Sequence, residues 1–164
     1  MRYHNITKDD MLNGEGLRTV LWVAGCSHHC PQCLNPVTWD INGGLAFDEA
    51  AKEELFEELK KDYISGVTFS GGDPLHEKNR EEIGKLAEDI REKFPDKTIW
   101  LYTGYEWEEI CGIPFLPNID VIVDGEFKIE EKDNSLHWKG SANQRVIDVK
   151  ESLKTGKVQL YRKY

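Results

Sequence analysis

The 164-residue chain is poor in cysteine, with four, and in methionine, with two. No apolar run approaches the ~18 consecutive residues of a membrane span, so no membrane partner is expected. The start, Met1-Arg2-Tyr3-His4-Asn5, lacks the apolar stretch of a secretory signal, and the expected location is cytoplasmic. Basic charge is also short: 21 Lys and Arg stand against 30 Asp and Glu, a net charge of −9. Such a chain repels a phosphate backbone, which argues against nucleic acid as a partner. Low-complexity segments, internal repeats and linkers are missing too. The length suits a single domain over residues 1–164, long enough to bury a core without staples. Only the stretch from about 150 to 164 is locally basic, through Lys150, Lys154, Lys157, Arg162 and Lys163. It reads as a solvated, frayed tail.

Several short apolar runs end in glycine. Val20-Leu21-Trp22-Val23-Ala24 precedes Gly25 and reads as a buried strand. Val67-Thr68-Phe69-Ser70 ends at Gly71-Gly72, and Ile99-Trp100-Leu101-Tyr102-Thr103 ends at Gly104. Ile119-Asp120-Val121-Ile122-Val123 ends at Asp124-Gly125, and residues 144–149 are a weaker fifth candidate. Between them lie helical patterns. Asp48 can N-cap a helix to about Tyr63, with Ala51, Leu55, Leu59 and Tyr63 on one stripe. Residues 77–94 carry Ile83, Leu86, Ala87, Ile90 and Phe94 at helical spacing before Pro95, and 106–110 suggest a short third helix. Strands alternating with helices predict an α/β fold with a mainly parallel sheet. Ligands of such sheets bind outside the carboxyl ends of the strands. The glycine-marked turns gather there.

Three of the four cysteines fall within eight residues: Cys26-Ser27-His28-His29-Cys30-Pro31-Gln32-Cys33. In a reducing compartment such a cluster points to metal or redox chemistry. Three readings use it. Three thiolates can hold a four-iron four-sulfur cluster and leave one iron open. His28 or His29 can complete a Cys3His zinc site. Cys30-Pro31-Gln32-Cys33 can act as a dithiol. Cys111 sits far away and reads as a buried structural cysteine.

The remaining motifs are weaker. Gly14-Glu15-Gly16-Leu17-Arg18-Thr19 precedes a strand, so it is a turn and not a dinucleotide loop, although Arg18 can still face the active edge. Ser70-Gly71-Gly72-Asp73-Pro74 follows a strand. Its glycines allow close approach of a ligand, its carbonyls accept from an ammonium group, and Asp73 favours the same cation. Trp39, Trp100, Trp107 and Trp138 read as core or rim packing, and His28 and His29 as loop residues.

The cysteine triad after the first strand, with a Gly-Gly-acidic turn after the second, resembles the radical S-adenosylmethionine superfamily. Asn13-Gly14-Glu15-Gly16-Leu17-Arg18-Thr19 leading into the cysteines is similar to its glycyl-radical activating enzymes. Ser70 to His76, Thr98 to Tyr105, and Val123-Asp124-Gly125 continuing to Gly140-Ser141-Ala142-Asn143-Gln144-Arg145-Val146 resemble the branch that serves anaerobic ribonucleotide reductase. The resemblance covers residues 3–149. It implies a reduced, partly open (β/α) barrel, in keeping with a length well short of the ~250 residues of a complete one.

The resemblance also implies roles. Cys26, Cys30 and Cys33 would hold three irons, and the fourth would chelate S-adenosylmethionine. Gly71, Gly72 and Asp73 would seat the methionine amino group, and Gln32, Cys33 and Leu34 would lie against the cofactor on its adenine side. This chain has Gln32 where relatives often carry an aromatic residue. Thr103, Asp124 and Lys128 are candidates for carboxylate and ribose contacts. Reductive cleavage of S-adenosylmethionine would yield a 5′-deoxyadenosyl radical that takes a hydrogen from one glycine of the reductase. The implied partners are the large subunit of anaerobic ribonucleotide reductase, a flavodoxin-type electron donor, and a second copy of the chain in a homodimer. Two other classes stay open: a radical enzyme acting on a small molecule, such as a deazaguanine synthase, and a non-catalytic zinc-binding module.

Overall fold

Strands and helices alternate through a computed structural model that describes residues 1–31, 33 and 36–161. In chain order they are β1 (Arg2–Asp10), β2 (Arg18–Val23), β3 (Leu45–Ala46), α1 (Glu49–Leu59), β4 (Gly66–Gly71), α2 (Arg80–Lys93), β5 (Thr98–Tyr102), α3 (Trp107–Ile110), β6 (Val121–Asp124), β7 (Arg145–Asp148) and α4 (Val149–Thr155). The strands form one sheet in the order β3-β1-β2-β4-β5-β6-β7. Its centre, β2-β4-β5-β6, is parallel. Its flanks are antiparallel: β1 pairs with β2 and β3 on one side, β7 with β6 on the other. The four glycine-terminated runs are the four central strands, and the weaker fifth candidate is β7.

The period-two alternation of the strands divides the core in two. Leu21, Val23, Val67, Phe69, Ile99, Leu101, Ile122 and Ile147 share one cluster with α1 and α2, which contribute Leu55, Leu59, Ile83, Leu86, Ala87 and Ile90. The alternate positions Trp100, Val121, Val123 and Val146 build a second cluster with Tyr102, Trp138 and Tyr161 against it. The helices therefore cover one face, and the other lies under loops from later in the chain.

Several expectations need correction. α1 is capped by Asp48, whose carboxylate accepts from the Ala51 amide at 2.9 Å, but it ends at Leu59 and leaves Tyr63 exposed. The chain turns there so that Ile64 can enter the core, and Lys97 Nζ donates to the carbonyls of Lys61 and Ile64 at that turn. Cys111 is exposed rather than buried. α3 is a single turn whose buried side chains are Trp107 and Ile110, and the next residue, rotated by about 100°, faces solvent. Residues 149–155 form α4, capped by Asp148 and stopped by Gly156 at a φ of 75°. Beyond it Tyr161 donates its amide to the Val146 carbonyl and Asp148 its amide to that of Gln159, both at 2.8 Å, so residues 159–161 pack along β7. Arg162 and Lys163 lie outside the described residues. β1 and β3 carry little apolar signal: Ile6 is the one buried residue of β1, and both residues of β3 are exposed. No helix among the described residues is long and apolar enough to cross a membrane.

Candidate functional site

The cysteine loop leaves the carboxyl end of β2 through a closed neck. Gly25 donates its amide to the Thr38 carbonyl at 2.7 Å, and Cys26 to that of Trp39 at 3.1 Å. Neighbouring turns grip the same neck. Gly72 donates to the Val23 carbonyl and Asp73 to that of Gly25, at 2.9 and 2.7 Å. Asn79, fully buried at the start of α2, donates from Nδ2 to the Ala24 carbonyl at 2.9 Å. Glycine is needed here for backbone contact. Gly71 has a φ of 105°, and a Cβ on Gly72 would lie 2.5 Å from the Gly25 carbonyl oxygen and 2.7 Å from that of Thr38. The space left open at Gly72 is therefore filled by the cysteine loop itself.

Cys26, Cys30 and Cys33 line one cavity of about 320 Å³. Ser70, Gly71 and Gly72 border it from the β4 exit, and Thr103 and Gly104 from the β5 exit. Trp22, Tyr102 and Trp138 supply aromatic walls. The volume falls within the ~300–1,000 Å³ of small-molecule sites. The Cys33 amide donates to the Cys30 carbonyl at 3.0 Å, a tight turn that sets the two-residue spacer. Burial pushes the Cys26 thiol up to about 11, against backbone amides of His28 and His29 that favour the thiolate. Cys30 is also raised, chiefly by burial. Such thiols stay protonated until a metal displaces the proton.

Three cysteines opening onto one cavity fit the donor set of an iron–sulfur cluster with an open iron. Among the described residues, no three His, Cys, Asp or Glu side chains converge on a single ion.

Asp73 is 1% exposed, and protein donors occupy its carboxylate. Oδ1 accepts from the Leu75 amide at 2.8 Å. Oδ2 accepts from the Thr103 hydroxyl and the Gly104 amide, both at 3.0 Å, and lies 2.7 Å from His28 Nε2. The other ring nitrogen, Nδ1, lies 3.0 Å from Glu126 Oε2. The hydrogen bond to Asp73 raises the His28 imidazole above its ordinary range, against the opposing effect of burial.

Other predicted residues are placed differently. Arg18 begins β2, at the end of the strand far from the cysteines, and does not face the active edge. It is 1% exposed, and its guanidinium donates to Thr68 Oγ1, Thr98 Oγ1 and the carbonyls of Glu15, Val67 and Thr98. Burial lowers it to about 10. Asp124 is buried beside the Trp107 amide at 2.8 Å and Arg145 Nη2 at 2.6 Å, outside the cavity lining. Lys128 borders a neighbouring cleft. Gln32 and Leu34 lie outside the described residues.

The segment at 140–146 proves to be a clamp. Gln144 donates from Nε2 to the Gly125 carbonyl at 2.9 Å, and its Oε1 accepts from the amides of Gly140 and Ser141. Asn143 Nδ2 donates to the Glu126 carbonyl at 2.8 Å. Together they shape the loop that brings Phe127, Leu136 and Trp138 to the cavity. Nothing in the sequence marks Asn79 or Gln144 for these roles, and His28 reads there as a loop residue or a zinc ligand. Their distant partners Ala24, Asp73, Gly125 and Glu126 lie just beyond the ends of strands, and a polar residue in a loop carries no local signal of that.

Residues 12–147 match the family model described as a 4Fe-4S single cluster domain. A protein of Enterobacteria phage T4 is 44% identical over 146 residues, covering 89% of this chain and 93% of its own. One of Escherichia coli (strain K12) is 42% identical over 150 residues, and one of Haemophilus influenzae 41% over 150, each covering 89% of this chain and 97% of its own. All three are named anaerobic ribonucleoside-triphosphate reductase-activating protein. With that identity along most of its length, and with its cysteine loop inside the matched domain, the chain belongs to the family of anaerobic ribonucleoside-triphosphate reductase-activating proteins.

Proposed function

We propose that this protein activates an anaerobic ribonucleotide reductase as a radical S-adenosylmethionine enzyme of the glycyl-radical activating class. The observation that carries the reading is the opening of Cys26, Cys30 and Cys33 onto the cavity that also receives the Gly71-Gly72 turn, at the carboxyl ends of the parallel strands. A 4Fe-4S cluster held there would supply the electron for reductive cleavage of S-adenosylmethionine, and the resulting 5′-deoxyadenosyl radical would take a hydrogen atom from a glycine Cα of the reductase large subunit.

The residues of this chain bind, orient and exclude water. The three cysteines hold the cluster. Gly71 and Gly72 offer backbone to the methionine ammonium group, and Asp73 contributes its charge from behind the turn. Gln32, Cys33 and Leu34 belong to the adenine side. Trp22, Tyr102 and Trp138 give the cavity apolar walls, and a dry wall protects a reactive radical from solvent. In this reading the sheet is a partial (β/α) barrel in a single domain over residues 1–164, working in the cytoplasm with a flavodoxin-type donor and pairing as a homodimer.

The test is anaerobic reconstitution with iron and sulfide, then reduction with S-adenosylmethionine and the large subunit of an anaerobic ribonucleotide reductase. Expected are 5′-deoxyadenosine and a glycyl radical signal in electron paramagnetic resonance, both lost in Cys30→Ala. A fully loaded protein that forms neither product overturns the proposal.

A further inference from the structure

His28 stands in the three-residue spacer between Cys26 and Cys30, and the exits of three different strands meet on its ring. From β4 comes Asp73, whose Oδ2 lies 2.7 Å from Nε2. From β6 comes Glu126, whose Oε2 lies 3.0 Å from Nδ1. From β5 comes Tyr105, packed edge-to-face at 4.6 Å between ring centroids and 77° between planes. The ring also fills the space beside Gly104, where an added Cβ would fall 2.5 Å from His28 Cδ2. Only 10% of the side chain is exposed.

We propose that His28 is a positioning residue, the tie that fixes the Cys26–Cys30 spacer to the β4, β5 and β6 exits and so holds the two thiols in place over the cavity. A loop of this length needs such a tie. Between its neck at Gly25 and Cys26 and the turn at Cys30, no other described side chain of the spacer bonds to the strand exits. Ser27 borders the adjoining cleft, and His29, at a φ of 47°, stacks on Trp39 within its own loop at 4.6 Å. Asp73 acts in the same device. Its Oδ2 joins His28 to Thr103 and Gly104, so one buried carboxylate connects the cysteine loop with the wall facing it.

The test compares wild-type protein with His28→Ala, His28→Gln and His28→Asn. Glutamine places its amide nitrogen near the position of Nε2 and can still donate to Asp73, whereas asparagine reaches only as far as Nδ1. The first readout is iodoacetamide alkylation of the metal-free protein, mapped by mass spectrometry, with exposed Cys111 as internal reference. Alkylation of Cys26 and Cys30 is expected to rise several-fold in the alanine and asparagine variants. Glutamine should hold it near wild type, and Cys111 should not change. The second readout is the electron paramagnetic resonance spectrum of the reduced cluster with S-adenosylmethionine, expected to broaden in the asparagine variant and to recover in the glutamine variant.

The cluster arm rests on the function proposed above; the alkylation arm does not. A wild-type protein that takes up no cluster overturns that function and leaves the alkylation comparison standing. Equal alkylation of Cys26 and Cys30 in wild type and asparagine variant overturns the role of His28, and so does a glutamine variant as reactive as the asparagine one. If the alanine variant does not fold, by circular dichroism, the contrast between glutamine and asparagine carries the result.

Discussion

Gly72 lies against Gly25 so closely that a Cβ on Gly72 would come within 2.5 Å of the Gly25 carbonyl oxygen. That carbonyl accepts the Asp73 amide, so the contact joins the cysteine loop to the β4 exit through backbone alone. Gly72→Ala must push the two apart. Forcing an atom into a packed site costs about 1–3 kcal/mol. The expected result is a loss of that size in urea denaturation, with less iron retained after reconstitution. Unchanged stability and full iron content would show that the neck can yield.

The thiols divide three to one. Replacing Cys26, Cys30 or Cys33 by alanine should each abolish cluster binding, read as iron and sulfide content. Cys111→Ala should keep its full cluster, because that residue is exposed after α3 and does not line the cavity. Loss of iron in the Cys111 variant would reassign the ligand set.

Arg18 is a buried cation with five backbone or hydroxyl acceptors and no carboxylate among them. Its guanidinium also lies 5.5 Å from the Trp100 ring centroid. Each buried acceptor left unpaired costs about 1–3 kcal/mol. Arg18→Met, which keeps much of the volume, should lose at least the about 1–3 kcal/mol of one unpaired acceptor, read in urea denaturation. Because the residue sits at the far end of β2, the cysteines of any folded fraction should still bind iron.

Tyr102 donates its hydroxyl to the Trp138 carbonyl at 2.5 Å, beneath the cavity wall. Burial, with a smaller contribution from Asp10, holds the phenol above the ordinary tyrosine range. A raised folded-state value means that the unfolded chain ionises first, from about pH 10. Stability from this group is then complete below that pH and declines as pH rises beyond it. Denaturation at pH 9 and pH 11 should show a steeper alkaline loss for wild type than for Tyr102→Phe. Parallel losses would place the alkaline sensitivity elsewhere.

Much of the sheet was legible in the residue order. The central strands are continuous apolar runs closed by glycine, and period-two alternation and the Asp48 cap are local signals that survive in the folded protein. β1 was not legible. It lies one strand in from an edge, buries only Ile6 and takes its place from pairing with β2. Cys111 was misjudged because a cysteine carries no mark of which side of a one-turn helix it will occupy.

The residue order alone set the chemistry on offer: three thiols in one loop after a buried strand, a glycine pair after the next, and enough apolar periodicity to bring both to one edge. These are relations between near neighbours in the chain, which spacing fixes. Folding settled which groups remained available to a ligand and which became tied to the protein. The carboxylates that grip His28 come from 45 and 98 residues away in sequence, and Gly72 meets Gly25 only because β2 and β4 run in parallel register. Such contacts depend on how strands align, and alignment is a property of the whole sheet.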